Sequence, residues 1–394
     1  MLRPNSLSFV LFTGGLLALG PLTMEMYVPA LPVVAGAFGS DPGAVQLTIS
    51  VYLVGFAVGQ LVSGPLVDVF GRRPMLLAGM VLIAMSSLVC LVAPSMAALT
   101  AARLFQALGV SVGQVAARAV IRDRHDAADT ARMIALSTVV IGASSALSPI
   151  AGGYIAVGFG WETIFAIHTV IAVLYFALLW RWFGETLATR KSLREQVRAT
   201  MRGTARLIRD RVFLSYTASV CFMFGSMFTF ISAGAFMFVD VLGMAPQNFG
   251  YVFTAISGML AAGSFLAAAL ARRVDLRRLF LVAAFAVAAI TVAMAVLAQL
   301  GMATAPLLIV LLALIGFAMG IVVSMAMGGA IAPHPDVAGT ASALIGFAQG
   351  TFAAGMSGVA GLVFDGTVVS VVLPMAILAL GVPLSFVLLA PRRA

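Results

Sequence analysis

Apolar residues run through this chain in long blocks separated by short polar punctuation, without the two-residue alternation that marks a half-buried strand. Twelve blocks can be counted, near 7–31, 45–67, 74–93, 97–118, 133–157, 161–183, 212–239, 248–271, 279–299, 304–330, 338–363 and 367–390. Each holds about 18 residues or more, enough for a helix to cross a hydrocarbon core of ~30 Å. The pattern predicts an all-α integral membrane protein of twelve transmembrane helices. The first block is too long for the apolar part of a secretory leader and runs straight into further spans, so it reads as a retained helix.

Composition agrees. Of 394 residues, 62% are hydrophobic and only 9% charged, whereas a soluble domain carries about a quarter charged residues. Charge placement then supplies a direction. Arg3, Arg72, Arg73, Arg118, Arg122, Arg124 and Arg132 fall at the N-terminus or at alternate junctions. So do Arg181, the cluster from Arg190 to Arg211, Arg272, Arg273, Arg277, Arg278, Arg392 and Arg393. The intervening junctions (36–44, 94–96, 158–162, 240–247, 300–304 and 364–367) contain no Lys or Arg. By the positive-inside rule both termini are cytoplasmic and the protein sits in the inner, cytoplasmic membrane. The net charge of +9 is therefore mostly topological, Arg103 being the basic residue not placed near the cytoplasmic face, and implies no nucleic-acid partner. Cys90 and Cys221 lie in apolar blocks and read as packing residues.

Residues 184–211 form the one long polar insertion. They divide the chain into an N-terminal bundle, 1–183, and a C-terminal bundle, 212–394, of six spans each. Two related bundles are the arrangement of a transporter with its substrate site between them, and a monomer already encloses such a pathway. Within the insertion Arg194, Arg198, Arg202, Arg206 and Arg209 recur at helical spacing beside Leu193, Val197, Met201 and Ile208. This predicts an interfacial helix lying on anionic membrane lipid. Small residues four apart, such as Gly55 with Gly59 and Gly316 with Gly320, predict closely packed spans.

No nucleophile, metal or phosphate-loop pattern appears, and His125, His168 and His334 are scattered, so neither an enzyme nor a resident metal or cofactor is expected. Ionisable residues inside spans carry more information, because a charge there is costly. Glu25 stands in LTMEMYVPALP (22–32), on a helical face otherwise made of Gly14, Ala18, Pro21 and Pro32. A carboxyl among apolar atoms keeps its proton and releases it when opened to water, as a proton carrier must. The alternative is a protonated acid bonded to a neighbouring helix. Arg103 lies at similar depth in the fourth span and never loses its charge, which suits it to stabilise the ionised acid; the alternative is a side chain snorkelling outward. Gln106 and Gln114 fall within about 60° of Arg103 around the helix and extend a polar stripe.

The stretch GPLVDVFGRRPML (64–76) sets Gly64, Asp68, Gly71, Arg72 and Arg73 at the spacing of a tight turn where a carboxylate meets cations or a helix start. It matches G-x-L-x-D-x-x-G-R-R-x-x-L, and on it the chain resembles the major facilitator superfamily. LTAARLFQALG (99–109) resembles that superfamily's helix-four signature through Arg103 and Gln106. SSALSPIAGG (144–153) resembles the helix-five signature of its antiporters; Pro149, Gly152 and Gly153 match, while Ser144 and Ser148 replace the usual glycines. MEMYVPALP, VQLTIS, ARAVIRD, GWETIF, GETL and DVAGTASALIGFAQ are similar to the Bcr/CflA drug-resistance group, which usually has Asp where Glu25 stands.

The resemblance spans all twelve helices and implies two pseudo-two-fold-related bundles exporting small drugs such as bicyclomycin or phenicols by alternating access. Protons and drug are the implied partners, the proton gradient is the energy source, and Glu25 is the implied carrier. It further implies that Asp68 meets the chain near Gly339 to Ala341, and that Arg72 or Arg73 pairs with Asp123. With Arg118 of ARAVIRD, these contacts would close the cytoplasmic side. For a drug pocket, Tyr27, Gln106, Gln114, Phe224, Phe228, Phe347 and Gln349, with Met223 and Phe230, offer an aromatic, soft and weakly polar lining. No second carboxylate lies deep in a span, which favours neutral or zwitterionic drugs. The competing readings are an uptake symporter or metabolite exporter on the same fold, and a non-transporting membrane scaffold or sensor.

Overall fold

Proline and polar caps set where the helices begin and end. The computed structural model describes residues 6–187, 192–270 and 273–390; Arg3, Arg190, Arg272, Arg392 and Arg393, used above to orient the chain, lie outside them. The first half contains α1 (Leu7–Glu25), α2 (Leu31–Phe38), α3 (Pro42–Phe70), α4 (Arg72–Leu91), α5 (Met96–Arg124), α6 (Ala127–Gly158) and α7 (Glu162–Trp182). After α8 (Leu193–Leu207) come α9 (Arg211–Phe236), α10 (Phe249–Leu270), α11 (Leu276–Gln299), α12 (Ala305–Ile331), α13 (Ala338–Val363) and α14 (Val369–Leu389). Acidic side chains cap several starts: Asp41 accepts from the Ala44 N–H at 2.9 Å before α3, Asp126 from Asp129 at 2.8 Å before α6, and Asp210 from Val212 at 2.7 Å before α9.

Twelve spans in the described residues are long and apolar enough to cross a membrane, counting α1 with α2 as one, and this is the number the apolar blocks predict. The first runs to Phe38, past its expected end at 31. Pro29 has no N–H to offer the Glu25 carbonyl, so α1 stops at Glu25. The Tyr27 N–H turns back to the Met24 carbonyl at 3.2 Å, a single 3-10 turn follows over Val28–Ala30, and α2 resumes the crossing.

The helices up to α7 pack among themselves, as do α9 to α14, which gives two bundles of six spans. Glycine lets helices touch within each bundle as the small-residue pairs predict: a Cβ on Gly320 of α12 would lie 2.2 Å from the Leu260 carbonyl of α10. Between the bundles, α3 runs along α13 and α6 along α10. One face of the molecule carries Arg72, Arg73, Arg122, Arg124 and α8, hereafter the basic face. Toward the opposite face the bundles meet backbone to backbone; a Cβ on Gly43 would lie 2.9 Å from the Gly361 carbonyl, and one on Gly250 2.5 Å from the Ile150 Cα. Toward the basic face there is open space beside Gly64, Gly339 and Gly346, which have no neighbour within 4 Å of such a Cβ.

Helix α8 crosses that opening. Gln196 donates to Asp68 on α3, and Arg206 pairs with Asp336 at 2.6 Å, just ahead of α13. Val197, Met201 and Ile208 remain exposed, as the stripe expected to lie on lipid. The helix is thus more than an interfacial one, because its polar residues also bind both bundles.

Candidate functional site

The break after Glu25 leaves backbone carbonyls without helical partners, and buried polar side chains gather on them. Arg103, fully buried on α5, donates through Nη1 to the Thr23 carbonyl at 2.9 Å and to Gln106 Oε1. Its guanidinium carbon lies 4.7 Å from the Tyr27 ring centre and 4.2 Å from that of Tyr52. Gln106 in turn donates to Ser87 Oγ at 2.7 Å and lies 3.5 Å from His168 Nδ1. The Thr23 and Tyr52 hydroxyls bond at 2.7 Å, and Thr48 donates to Tyr27 Oη at 3.2 Å. Aromatic faces and carbonyl-type oxygens rather than an anion therefore surround the cation. Arg103 does not snorkel to the surface. Nor does an ion pair join it to Glu25; the link between them runs through the Thr23 backbone and Tyr52.

Glu25 faces the other way, into a cavity of about 160 Å³ between the bundles. Pro21 of α1, Tyr52 and Phe56 of α3, Gln114 of α5, Phe224 and Phe228 of α9, and Gly346 and Gln349 of α13 are among the residues of its wall. Ser145 Oγ of α6 donates to Glu25 Oε1 at 3.3 Å, while Oε2 is buried without a side-chain or backbone partner among the described residues. Pro21 withholds the N–H that would meet the Leu17 carbonyl. Gln114 Nε2 supplies it instead, at 2.8 Å. Gln60 then donates to Gln114 Oε1 at 3.3 Å and Arg118 to Gln60 Oε1 at 3.0 Å, a line of polar groups from the cavity toward the basic face.

Of the expected pocket residues, Gln114, Phe224, Phe228 and Gln349 line this cavity. Tyr27 and Gln106 belong instead to the Arg103 network, and Phe347 is not in the wall. Met223 and Phe230 are fully buried packing residues; the Phe230 ring sits 6.1 Å from that of Phe253 and 6.3 Å from that of Phe249. Sequence reasoning missed Tyr52 and Phe56, whose spacing of four along α3 puts them on one face.

At the basic face the signature loop closes around Arg72, which bonds Asp68 at 2.7 Å and Asp123 at 2.9 Å. This decides between the two arginines: Arg73 instead donates to the Trp180 carbonyl at 2.9 Å and lies 5.8 Å from that ring's centre. Asp68 does not meet the start of α13 near Gly339 to Ala341, contrary to expectation. Its second oxygen instead accepts from Gln196 of α8.

Glu185, just after α7, caps α4 from outside by accepting the Arg72 N–H at 2.9 Å and the Arg73 N–H at 3.3 Å. Partial burial pushes the Glu185 carboxyl up, but the N–H groups of Leu187, Arg72, Thr186 and Arg73 outweigh that and hold it below the usual value. Gly71 fits between them with φ 103°, where a Cβ would stand 2.3 Å from Glu185 Oε2.

In the helix-five segment, Gly152 admits the Met26 carbonyl within 1.9 Å of an added Cβ, and Gly153 meets Gln247 of the second half. Pro149 packs against Gly250. Among the described residues no three His, Cys, Asp or Glu side chains come together as metal ligands. The arrangement is a titratable acid in the wall of a cavity between two bundles, which can bind and release a proton and also meet a small molecule.

Residues 13–358 match the Major Facilitator Superfamily profile. The chain is 31% identical over 346 residues to the uncharacterized MFS-type transporter YdgK of Bacillus subtilis, covering 86% of this chain and 85% of that one. It is 27% identical over 344 residues to a bicyclomycin resistance protein homolog of Haemophilus influenzae, covering 87% and 86%. Its fold superposes on a D-xylose-proton symporter with a TM-score of 0.75 at 16% identity, over 97% of this chain and 96% of the other. The profile runs from the first span into the eleventh and so takes in both bundles: the chain belongs to the major facilitator superfamily, and it is a membrane transport protein rather than an enzyme.

Proposed function

We propose that the protein is a proton-coupled exporter of small neutral or zwitterionic drugs, with Glu25 as the proton carrier. The observation that supports this most directly is Glu25 in the wall of the cavity between the bundles, beside Gln114, Gln349, Phe224 and Phe228. A carboxyl there is exposed to whichever side the cavity opens, and drug and proton occupy it in turn. The relative named for bicyclomycin resistance and the matches to the drug-resistance group favour export of such compounds.

The basic face is cytoplasmic in this reading, and the open space beside Gly64, Gly339 and Gly346 supports reading the conformation as one open to the cytoplasm. Arg103, held by the same break, steadies the acid after it ionises. Each proton moving inward supplies ~2.3 kcal/mol per 100 mV and ~1.4 kcal/mol per pH unit, enough for one proton to sustain a steep outward drug gradient.

Purified protein in proteoliposomes tests this directly. An imposed gradient of a phenicol or bicyclomycin drives proton movement in the opposite direction, and Glu25→Gln abolishes it. Proton movement that survives Glu25→Gln unchanged removes Glu25 as carrier, and drug accumulation along the proton gradient makes the protein a symporter.

A further inference from the structure

Helix α6 touches both the acid and the opposite bundle. Ser145 Oγ donates to Glu25 Oε1 at 3.3 Å, and the carbonyl of the next residue, Ala146, accepts from Thr254 Oγ1 of α10 at 2.7 Å. The Thr254 oxygen also lies 3.2 Å from its own helix's Gly250 carbonyl. A hydroxyl has one proton to give, and the shorter contact is the one across the bundles. One turn on, a Cβ at Gly250 would meet the Ile150 nitrogen and the Pro149 carbonyl at 2.6 Å each, so the two helices are in backbone contact there. Pro149 also lacks the N–H that would pair with the Ser145 carbonyl. The turn presenting Ser145 is therefore one rung short and more compliant than the rest of α6.

We propose that Thr254 is a positioning residue for proton coupling: by holding the Ala146 carbonyl it sets Ser145 against Glu25 and ties that acid to the seam between the bundles. This rests on Glu25 as the proton carrier. Protonation shifts a conformational equilibrium only through a contact that differs between the two forms of the acid. Donation from Ser145 is such a contact, being roughly twice as strong to a carboxylate as to a neutral carboxyl. The other charged or titratable groups around Glu25 are Tyr52 on α3 and, behind it, Arg103 on α5 with His168 on α7. Helices α9 and α13 face it with Phe224, Phe228 and Gln349, none of which titrates. Helix α6 carries the hydrogen bonds on both sides, to the acid through Ser145 and to α10 through the Ala146 carbonyl.

The test compares Thr254→Val, Thr254→Ser, Ser145→Ala and Glu25→Gln in proteoliposomes, measuring drug-driven proton flux across a pH series together with drug binding and thermal stability. Losing one hydrogen bond of ordinary strength changes an equilibrium about five-fold, which corresponds to roughly 0.7 pH unit. Thr254→Val is expected to move the pH midpoint of flux by about that much and to lower kcat, with drug binding unchanged within two-fold. Thr254→Ser, which keeps the donor, restores the midpoint, and Ser145→Ala reproduces the Val phenotype from the acid's side. A Thr254→Val protein that is folded and binds drug but keeps the native midpoint overturns the proposal. So does Thr254→Val shifting the midpoint while Ser145→Ala does not. If Glu25→Gln itself leaves proton flux intact, the carrier reading fails first, and the two failures are thereby told apart.

Discussion

Arg103 donates to the backbone carbonyl of Thr23 at 2.9 Å, a carbonyl left without a helical partner because α1 ends two residues later. The permanent charge is thus fastened to the helix break rather than to the acid. Lysine at this position keeps the charge but loses the flat face that lies over Tyr27 and Tyr52 and the N–H that reaches Gln106. Arg103→Lys is expected to cost about 2 kcal/mol, read as a lower unfolding temperature in detergent, and to reduce drug export along with it.

Gln114 stands in for the N–H that Pro21 lacks, at the Leu17 carbonyl. Gln114→Leu leaves that buried carbonyl unpaired and is expected to destabilise by about 1–3 kcal/mol. Pro21→Ala returns an N–H to the helix, so the double variant recovers much of the loss. A double-mutant cycle by thermal unfolding measures the coupling, and strictly additive losses would contradict this account.

Gly71 is held at φ 103° with Glu185 against it. Gly71→Ala combines positive-φ backbone strain of about 1–3 kcal/mol with displacement of the Glu185 carboxylate. A less stable protein, with the Arg72 and Arg73 N–H groups uncapped, is the expected outcome of a thermal shift assay.

Glu185 gives a pH dependence whose sign follows from its partners. Backbone N–H groups hold its folded-state value below the ordinary one. The stability it contributes is therefore present above the ordinary carboxylate range and is lost as pH falls through the depressed folded-state value. Unfolding temperatures of native protein and Glu185→Gln should differ at neutral pH and converge in acid; a gap that does not narrow as the pH falls would contradict this.

The twelve crossings were legible because a bilayer demands an apolar block for each of them, and the loop around Arg72 because its pattern is dense with charge and glycine. The reach of the first span to Phe38 was not, since Gly36 and Gly39 make its last turn look like loop. In the cavity, Gln114, Gln349, Phe224 and Phe228 stood out as polar or aromatic residues in apolar spans. Tyr27 and Gln106 stood out for the same reason, yet the needs of Arg103 for a ring face and an acceptor turned them away from the cavity. Tyr52 was invisible because nothing in α3 alone reveals that a cation from α5 will lie against it. The expected meeting of Asp68 with Gly339 failed because the second Asp68 oxygen is taken by Gln196, and the seat of α8 beside α3 is not specified by local sequence.

Helix α8 is a rod of 15 residues whose anchoring residues, Gln196 and Arg206, lie about 15 Å apart along its axis. Anchored at Asp68 through Gln196 and at Asp336 through Arg206, it acts as a spacer bar of set length. A change in the separation of Asp68 and Asp336 beyond the flex of those two side chains breaks one of the contacts, and the exposed Arg206–Asp336 pair is the cheaper one to break.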